Sequence, residues 1–405
     1  MRALVFNCGS SSLKFELVEL DGNFARRRTL ARGKIEQIGE DSAYSFRGPD
    51  GREAEARKSF SDHASAALFA LQWLQSAAGA LDTGLSAVGH RVVHGGEEIT
   101  GPRIIDERVM QALAHASKFA PLHNPPAISV IRAVTAKLAG APAVVLADTA
   151  FHATLAPEAR TYAIPREMAQ RHGIRRFGFH GLGHAWMLEQ YAELTGRGIE
   201  TLNLVTMHLG AGCSATAIRA GRSVDTSMGL TPLEGLVMAT RSGDLDPAIV
   251  TYLAANEGIA PDEIERVLNH KSGMLGMSGL SDDLRELKRA ADSGNADAAL
   301  AIEVFCHRAR KYVGAYAAIA GRPDAIIFGG GIGENADWIR ARILGGLQWL
   351  GIELDPERNR AAVGRKGRIS SDASKIAVHV IPLDEELYIA RAALRLVSRS
   401  EQNSA

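Results

Sequence analysis

Cysteine is scarce in this chain. Three occur in 405 residues, at Cys8, Cys213 and Cys306. The number is odd and the spacing is not that of metal ligands, so neither a disulfide framework nor a structural zinc site is indicated. Net charge is also missing. Lys+Arg and Asp+Glu both total 46, which leaves no global basic field to hold nucleic acid or an anionic membrane. No uninterrupted apolar run approaches the ~20 residues that a membrane span needs. The chain enters a strand at its start, which leaves no room for a signal peptide. Low-complexity sequence is absent except for the polar tail 398–405, expected to be disordered. What remains is 46% hydrophobic and 23% charged, the composition of a soluble globular protein and expected in the cytoplasm. The length fits two domains better than one core.

Strand-like runs alternate with helical ones throughout, which predicts α/β layers. Two segments share one design. In the first, Ala3-Leu-Val-Phe-Asn7 stops at a polar residue, turns through Cys8-Gly-Ser-Ser-Ser12 and resumes as Leu13–Leu17. In the second, Asn203–His208 turns through Leu209-Gly-Ala-Gly-Cys213 and resumes as Ser214–Ile218. Glycine at such a turn lets backbone N–H groups approach an anion closely. A third glycine turn, Gly329–Gly333, follows the apolar run Ala325–Phe328 and leads into a helix, read as Ala336–Leu350 with Asn335 as N-cap. Two hairpin phosphate loops and one strand–loop–helix loop point to a nucleotide and to phosphoryl transfer.

Other elements place candidate residues. On the strand Leu13–Leu17, Leu13, Phe15 and Leu17 share one face, which leaves Lys14 on the other. Helices are predicted over 62–79, closing near Gly79, from Asn124 as N-cap with Pro125 first in the helix, over 295–320 ending at Gly321, and over 386–399. Asp148 follows the apolar strand Ala143–Ala147, at the strand end where open α/β sheets bind ligands. A domain boundary is placed just after it, giving 1–150 and 151–385, with the terminal helix 386–405 packing back on the first domain.

In His90-Arg-Val-Val-His-Gly-Gly96, Arg91 and Val93 fall on one side of a short strand. A guanidinium beside an apolar surface suits a small carboxylate, and a structural ion pair is the alternative. His180 and His184 stand at i, i+4, which invites a zinc reading. A zinc-protease helix would need Glu at 181, where Gly stands, so His180 reads better as a hydrogen-bond donor in a glycine turn, with a packed core histidine as the alternative. The stretches Asp225–Gly235 and Ala239–Asp244 read as site-lining loops, and Arg241 is flanked by small residues that leave it accessible. Gly210-Ala-Gly-Cys-Ser-Ala215 fits a dinucleotide fingerprint, but that pattern needs a helix next, and the residues that follow favour a strand. A dehydrogenase is rejected.

Together these segments resemble the acetate kinase family, over essentially the whole chain. The matching blocks are Asn7–Phe15, His90–Gly96, Pro121–Pro126, Asp148–His152, Phe177–Gly181, Asp225–Gly235, Thr240–Asp244, Gly331–Asn335 and Ile381–Leu387. The resemblance implies duplicated actin-like (ribonuclease H-like) domains with an interdomain nucleotide cleft. It implies reversible, magnesium-dependent transfer between ATP and acetate, giving acetyl phosphate and ADP, in a homodimer. By that similarity Arg91 and Arg241 hold the carboxylate and the migrating phosphoryl group, and His180 hydrogen-bonds that group. Asp148 is the family's proposed acid/base residue. A carboxylate substrate is already ionised at neutral pH, so Asp148 is expected instead to orient Arg91 or the metal's waters. Asn7 and Glu385 match the magnesium positions. Val93, Leu122, Phe179 and Pro232 match the acyl pocket.

Nucleotide contacts carry over to Ser12, Lys14, His208, Leu209, Gly210, Ala211, Gly212, Asp283, Leu284, Arg285, Gly331, Ile332, Gly333, Glu334 and Asn335. Several positions depart from the family pattern. Ala211 stands where Asn is usual, Leu182-Gly183 replaces Thr-Ser and is expected to add flexibility, Ala239 replaces Gly, and Cys8 replaces Ala. The rival readings are a propionate or other short-chain acyl kinase and a non-catalytic nucleotide-switched binding protein. The intact Arg91, His180, Arg241 and Glu385 speak against a pure switch.

Overall fold

A computed structural model of the chain describes residues 1–24, 27–48, 51–76, 81 and 84–404. The chain divides into two compact units, one formed by Met1–Phe151 with Asp384–Ala405 and the other by His152–Leu383. The expected helix end near Gly79 lies outside the described residues.

The first unit is built on eight strands: β1 (Arg2–Cys8), β2 (Ser12–Leu20), β3 (Arg27–Glu36), β4 (Ala43–Arg47), β5 (Glu53–Arg57), β6 (Ala87–Val92), β7 (Arg103–Ile104) and β8 (Ala143–Ala147). Their order in the sheet is β5-β4-β3-β2-β1-β6-β8-β7. β1 pairs antiparallel with β2 and parallel with β6, and β6 pairs parallel with β8. Central strands covered on both faces need continuous apolar sequence. Ala3–Phe6 and Ala143–Ala147 supply it and are buried throughout. The terminal helix, Glu385–Ser404, packs against β1 and β6 with Ile389, Ala390, Ala393, Leu394 and Val397 buried, a spacing that repeats every three to four residues. Gly89 permits that approach, since a Cβ there would lie 2.5 Å from Ile389 Cγ2. The helix runs on through Ser404, so most of the polar tail is an extra helical stretch and not a disordered one.

The second unit carries β9 (Leu204–Leu209), β10 (Cys213–Arg219), β11 (Arg222–Thr226), β12 (Ala325–Gly329), β13 (Gly367–Arg368) and β14 (Ala377–Val380), in the order β11-β10-β9-β12-β14-β13. The run β11-β10-β9-β12-β14 repeats the pairing senses of β3-β2-β1-β6-β8: two antiparallel pairs, then two parallel ones. This is the duplication that the paired hairpins announced. β10 is followed by another strand and not by a helix, as the rejection of a dinucleotide fingerprint requires. The helix Ala296–Ala320 is capped at its start by Asn295, which accepts from Ala298 N at 2.8 Å, and closed by Gly321 at φ +70°.

Two expected caps are placed differently. Asn124 lies inside its helix, which His123 precedes. Its amide instead clamps His94, accepting from His94 N at 3.1 Å and donating to His94 O at 2.8 Å. Asn335 is the last residue of a short helix, Gly330–Asn335, and its side chain turns back to donate to Gly331 O at 2.9 Å. The following helix is Asp337–Leu344, with Ala336 ahead of it.

Candidate active site

In the first unit, strand register assembles the polar cluster. Asn7 on β1 stands beside Arg91 on β6, and Arg91 beside Leu146 on β8, two residues before Asp148. The Asp148 N–H donates to Val92 O at 3.0 Å and fixes the turn out of the strand. Arg91 then lies between its neighbours. Nε donates to Asp148 Oδ1 at 2.9 Å, Nη2 to Asp148 Oδ2 at 2.6 Å, and Nη1 to Asn7 Oδ1 at 3.0 Å. A fourth contact reaches Cys8 O at 3.4 Å. Burial works against the Arg91 charge, but the bidentate pair with Asp148 outweighs it and holds the guanidinium firmly protonated. The Asn7 amide nitrogen meanwhile donates to Glu386 at 3.1 Å and Glu385 at 3.3 Å.

Burial pushes the Glu385 carboxyl above its usual range. Arg91 pulls it down, and Asp148 and Glu386 push it up. Three carboxylates thus surround one guanidinium, a local deficit of positive charge. Among the described residues no group of three or more His, Cys, Asp or Glu converges as a ready-made metal cage. A magnesium ion takes a carboxylate or two and completes its shell with water and phosphate oxygen, a share that Glu385 and Glu386 could supply. Lys14 and Glu386 line a cleft of about 610 Å³ with Arg32 and Asp384. Arg27 is tied to Glu16 and Asp384 on the same face.

The second unit gathers a different set. His180 sits at φ +58°, in the left-handed region, at the start of the helix Gly181–Thr195. Its ring stacks on His208 with centroids 4.1 Å apart and planes at 16°. Glycines at two positions make this possible. A Cβ at Gly183 would lie 2.8 Å from His208 Nδ1, and one at Gly212 would lie 3.2 Å from His180 Cε1 and 3.4 Å from Arg241 Nη1. Gly183 is therefore a buried helical residue that makes room for an imidazole. Gly212 brings His180 and Arg241 to one place. Arg241 is half-buried and among the described residues bonds neutral groups, Pro232 O at 3.3 Å and Met238 Sδ at 3.6 Å. No carboxylate lies within ion-pair distance of it among the described residues, and burial lowers its pKa.

Beside these residues lies a cleft of about 910 Å³ lined by Gly210, Ala211, Asp283, Leu284, Arg285, Gly331, Ile332, Asn335 and Trp338, among others. Eight residues assigned to nucleotide contacts thus share one cavity. Asp283 caps the helix Leu284–Asp292 and pairs with Arg285. Gly333 is buried beneath. Glu334 turns inward, accepting from Gly330 N at 2.9 Å and Leu383 N at 3.0 Å, so the first N–H of the glycine helix is already satisfied. Leu209 is core, and Ser12 opens β2 with its carbonyl accepting from Gly9 N at 2.9 Å. Of the acyl-pocket residues, Val93 is buried and Leu122 is 64% exposed in the first unit, while Phe179 is buried and Pro232 half-buried in the second.

Sequence reasoning missed three contributors. Glu386 lies closer to Asn7 than Glu385 does, and the doublet at a helix start was the available signal. Arg340 is fully buried and donates to Gly333 O at 2.8 Å and Glu334 O at 2.9 Å, closing the glycine helix from behind. Ser214 bonds His180, and its signal was the alternation Thr206-x-His208 and Ser214-x-Thr216, which puts four polar side chains on one face of a hairpin whose register pairs them.

Two sheets that repeat one pattern of pairing senses, with glycine loops at strand ends, make up a duplicated actin-like fold. Comparison with known proteins gives the particular family. The acetokinase family matches residues 2–391, and the chain belongs to it, a family of phosphotransferases with a carboxyl group as acceptor. The chain is 44% identical to the acetate kinase of Chloroherpeton thalassium, covering 99% of this chain and 100% of that one. It is 45% identical to that of Solibacter usitatus, covering 98% of each. Among solved structures it is similar to Porphyromonas gingivalis acetate kinase, with TM-score 0.92, 37% identity and 98% and 99% of the two chains covered. A propionate kinase from Francisella tularensis gives TM-score 0.89 and 37% identity, over 97% and 99%.

Proposed function

We propose that the protein transfers a phosphoryl group reversibly between ATP and acetate, giving acetyl phosphate and ADP with magnesium, as a cytoplasmic homodimer. The observation that carries this reading is Arg241, a half-buried guanidinium with no carboxylate partner, meeting His180 at Gly212. Phosphoryl transfer asks a protein mainly for positioning and for neutralising charge that develops in flight. A cation kept unpaired beside a donor imidazole serves that need, and a structural arginine would not be left so.

Acetate is ionised at neutral pH, so no base is required to activate it. Both Asp148 oxygens are occupied by Arg91, and its role here is to hold the Arg91 fork in place for a carboxylate. Asn7, Glu385 and Glu386 would hold magnesium, which supplies charge neutralisation on the phosphate oxygens. Gly210, Ala211, Asp283 to Arg285, Gly331, Ile332 and Asn335 would bind the nucleotide in the second unit's cleft, with Lys14 reaching phosphate. Val93, Leu122, Phe179 and Pro232 would take the acyl chain. No helix among the described residues is long and apolar enough to cross a membrane. The helix Ala248–Glu257 leaves Ile249 and Tyr252 exposed, apolar surface of the kind that supports self-association.

Trapping acyl phosphate with hydroxylamine tests the reading. Protein with ATP and magnesium should form the hydroxamate with kcat/KM highest for acetate, lower for propionate and butyrate, and no signal without acid. Equal turnover of butyrate would sink the acetate assignment, and ATP hydrolysis indifferent to every acid would sink the kinase.

A further inference from the structure

His184, which stands at zinc-like spacing from His180, serves no role described above. It is fully buried, and its two ring nitrogens meet two hydroxyls: Nδ1 is 2.7 Å from Thr206 Oγ1 and Nε2 is 2.8 Å from Ser214 Oγ. The same Ser214 oxygen lies 3.0 Å from His180 Nδ1. A four-member chain therefore runs from Thr206 through His184 and Ser214 to His180.

Each hydroxyl has one proton to donate, and each neutral imidazole has one N–H and one acceptor nitrogen. Two directions are possible, and Thr206 decides between them. Its side chain is fully buried, and among the described residues His184 Nδ1 is its hydroxyl's one partner. If His184 Nδ1 carried the proton, the Thr206 O–H would be left without an acceptor in the core, which is costly. Thr206 must donate, so His184 carries its proton on Nε2 and gives it to Ser214. Ser214, having accepted, donates to His180 Nδ1. The His180 proton is thereby placed on Nε2, the nitrogen that lies 3.3 Å from the position of a Cβ at Gly212, where Arg241 Nη1 also faces. Burial keeps His184 neutral, with its pKa well below the usual histidine value, as this chain of donors needs.

We propose that Thr206, His184 and Ser214 are positioning residues that fix His180 as the Nε2–H tautomer, so that it meets the migrating phosphoryl group as a hydrogen-bond donor. In the other tautomer His180 would aim a lone pair at phosphate oxygens and repel them. The tautomer follows from geometry alone, and its kinetic consequence rests on the function proposed above.

The test is nitrogen-15 NMR of histidine-labelled protein, with His180 assigned by comparison with His180→Asn, alongside steady-state kinetics. Wild type should show His180 with a protonated Nε2 and an acceptor Nδ1. Thr206→Val keeps the shape and removes the only donor that sets direction. It should give a mixture of His180 tautomers and lower kcat roughly ten- to a hundredfold, less than loss of a whole donor group, with KM for ATP and acetate nearly unchanged. Thr206→Ser should restore both the spectrum and kcat. If Thr206→Val is unstable, Ser214→Ala provides the same reading from the other end. A wild-type His180 protonated on Nδ1, or a Thr206→Val spectrum unchanged from wild type, overturns the relay. A mixed tautomer with full kcat overturns its catalytic consequence. The expected spectra without acid-dependent turnover would leave the relay standing and refute the kinase.

Discussion

Arg241 and Arg91 are both proposed to meet the substrate, yet the structure predicts very different costs in stability when each is removed. Arg241→Leu deletes two long hydrogen bonds from one nitrogen, to Pro232 O at 3.3 Å and Met238 Sδ at 3.6 Å, together worth about 1 kcal/mol net. It also deletes a charge that burial already disfavours and no carboxylate compensates. These terms oppose each other, so the ligand-free protein should unfold within about 1 kcal/mol of wild type, on either side. Arg91→Leu strips Asp148, 1% exposed, of its bidentate partner and leaves three carboxylates with no guanidinium. Breaking a buried pair in this way costs roughly 3–5 kcal/mol.

Kinetics should show the reverse economy for Arg241. Loss of a preorganised charge-stabilising donor lowers kcat roughly 10²–10³-fold, while KM for acetate moves much less, because interactions made in the transition state are lost from kcat. The assay is urea denaturation of ligand-free protein beside hydroxamate kinetics for both variants. An Arg241→Leu protein that is several kcal/mol less stable, or one with near-normal kcat, would show Arg241 to be an ordinary structural arginine and refute the reasoning.

Three further outcomes are expected. Ala211 is exposed on the wall of the 910 Å³ cleft, so Ala211→Asn has room to add a hydrogen bond of ~0.5–1.5 kcal/mol and lower the ATP KM about 2–12-fold; a raised KM in a stable variant would withdraw the contacts assigned to His208–Gly212. Gly183→Ser puts a Cβ 2.8 Å from His208 Nδ1, and overpacking there should cost roughly 1–3 kcal/mol in denaturation; an unchanged midpoint would mean that the His180–His208 stack is looser than described. Burial lowers the pKa of His90 to about 3 and of His379 to about 4, below the unfolded value of about 6.5. The unfolded chain therefore binds protons first, and stability is full above pH 6.5 and lost as pH falls toward the folded values. Each histidine should contribute a slope of up to ~1.4 kcal/mol per pH unit. Urea midpoints equal at pH 7.5 and 5.5 would refute this, and His90→Gln should flatten the slope.

The elements legible in the sequence were those set by local rules. The helix Ala296–Ala320 carried its Asn cap and its terminal glycine, and the hairpins carried their polar stops and small turns. Asn124 and Asn335 misled because an asparagine near a helix start has several uses. At 124 the tertiary demand of the His94 backbone won over capping, and at 335 the glycine turn itself became helical. Gly183 shows the same limit. A glycine in sequence reads as freedom, and only the ring of His208, brought from a strand across the fold, shows that the position is tightly filled.

Register explains why the rest was hidden. Nothing in the local sequence of Arg91 or Arg241 says which will be paired, since each is flanked by small or apolar residues. The pairing of β1, β6 and β8 delivers Asn7 and Asp148 to Arg91, and no strand delivers an acid to Arg241. Arg91 reads as a structural ion pair when its contacts alone are considered, because a fork that must keep its orientation is held by partners. Arg241 reads as a defect when its contacts alone are considered, and the proposed function gives its unpaired charge a use. The costly arrangement is the more informative of the two. On the proposed function, a half-buried guanidinium without an ion-pair partner among the described residues, set beside an imidazole and a cleft, is where an arriving anion would complete the set.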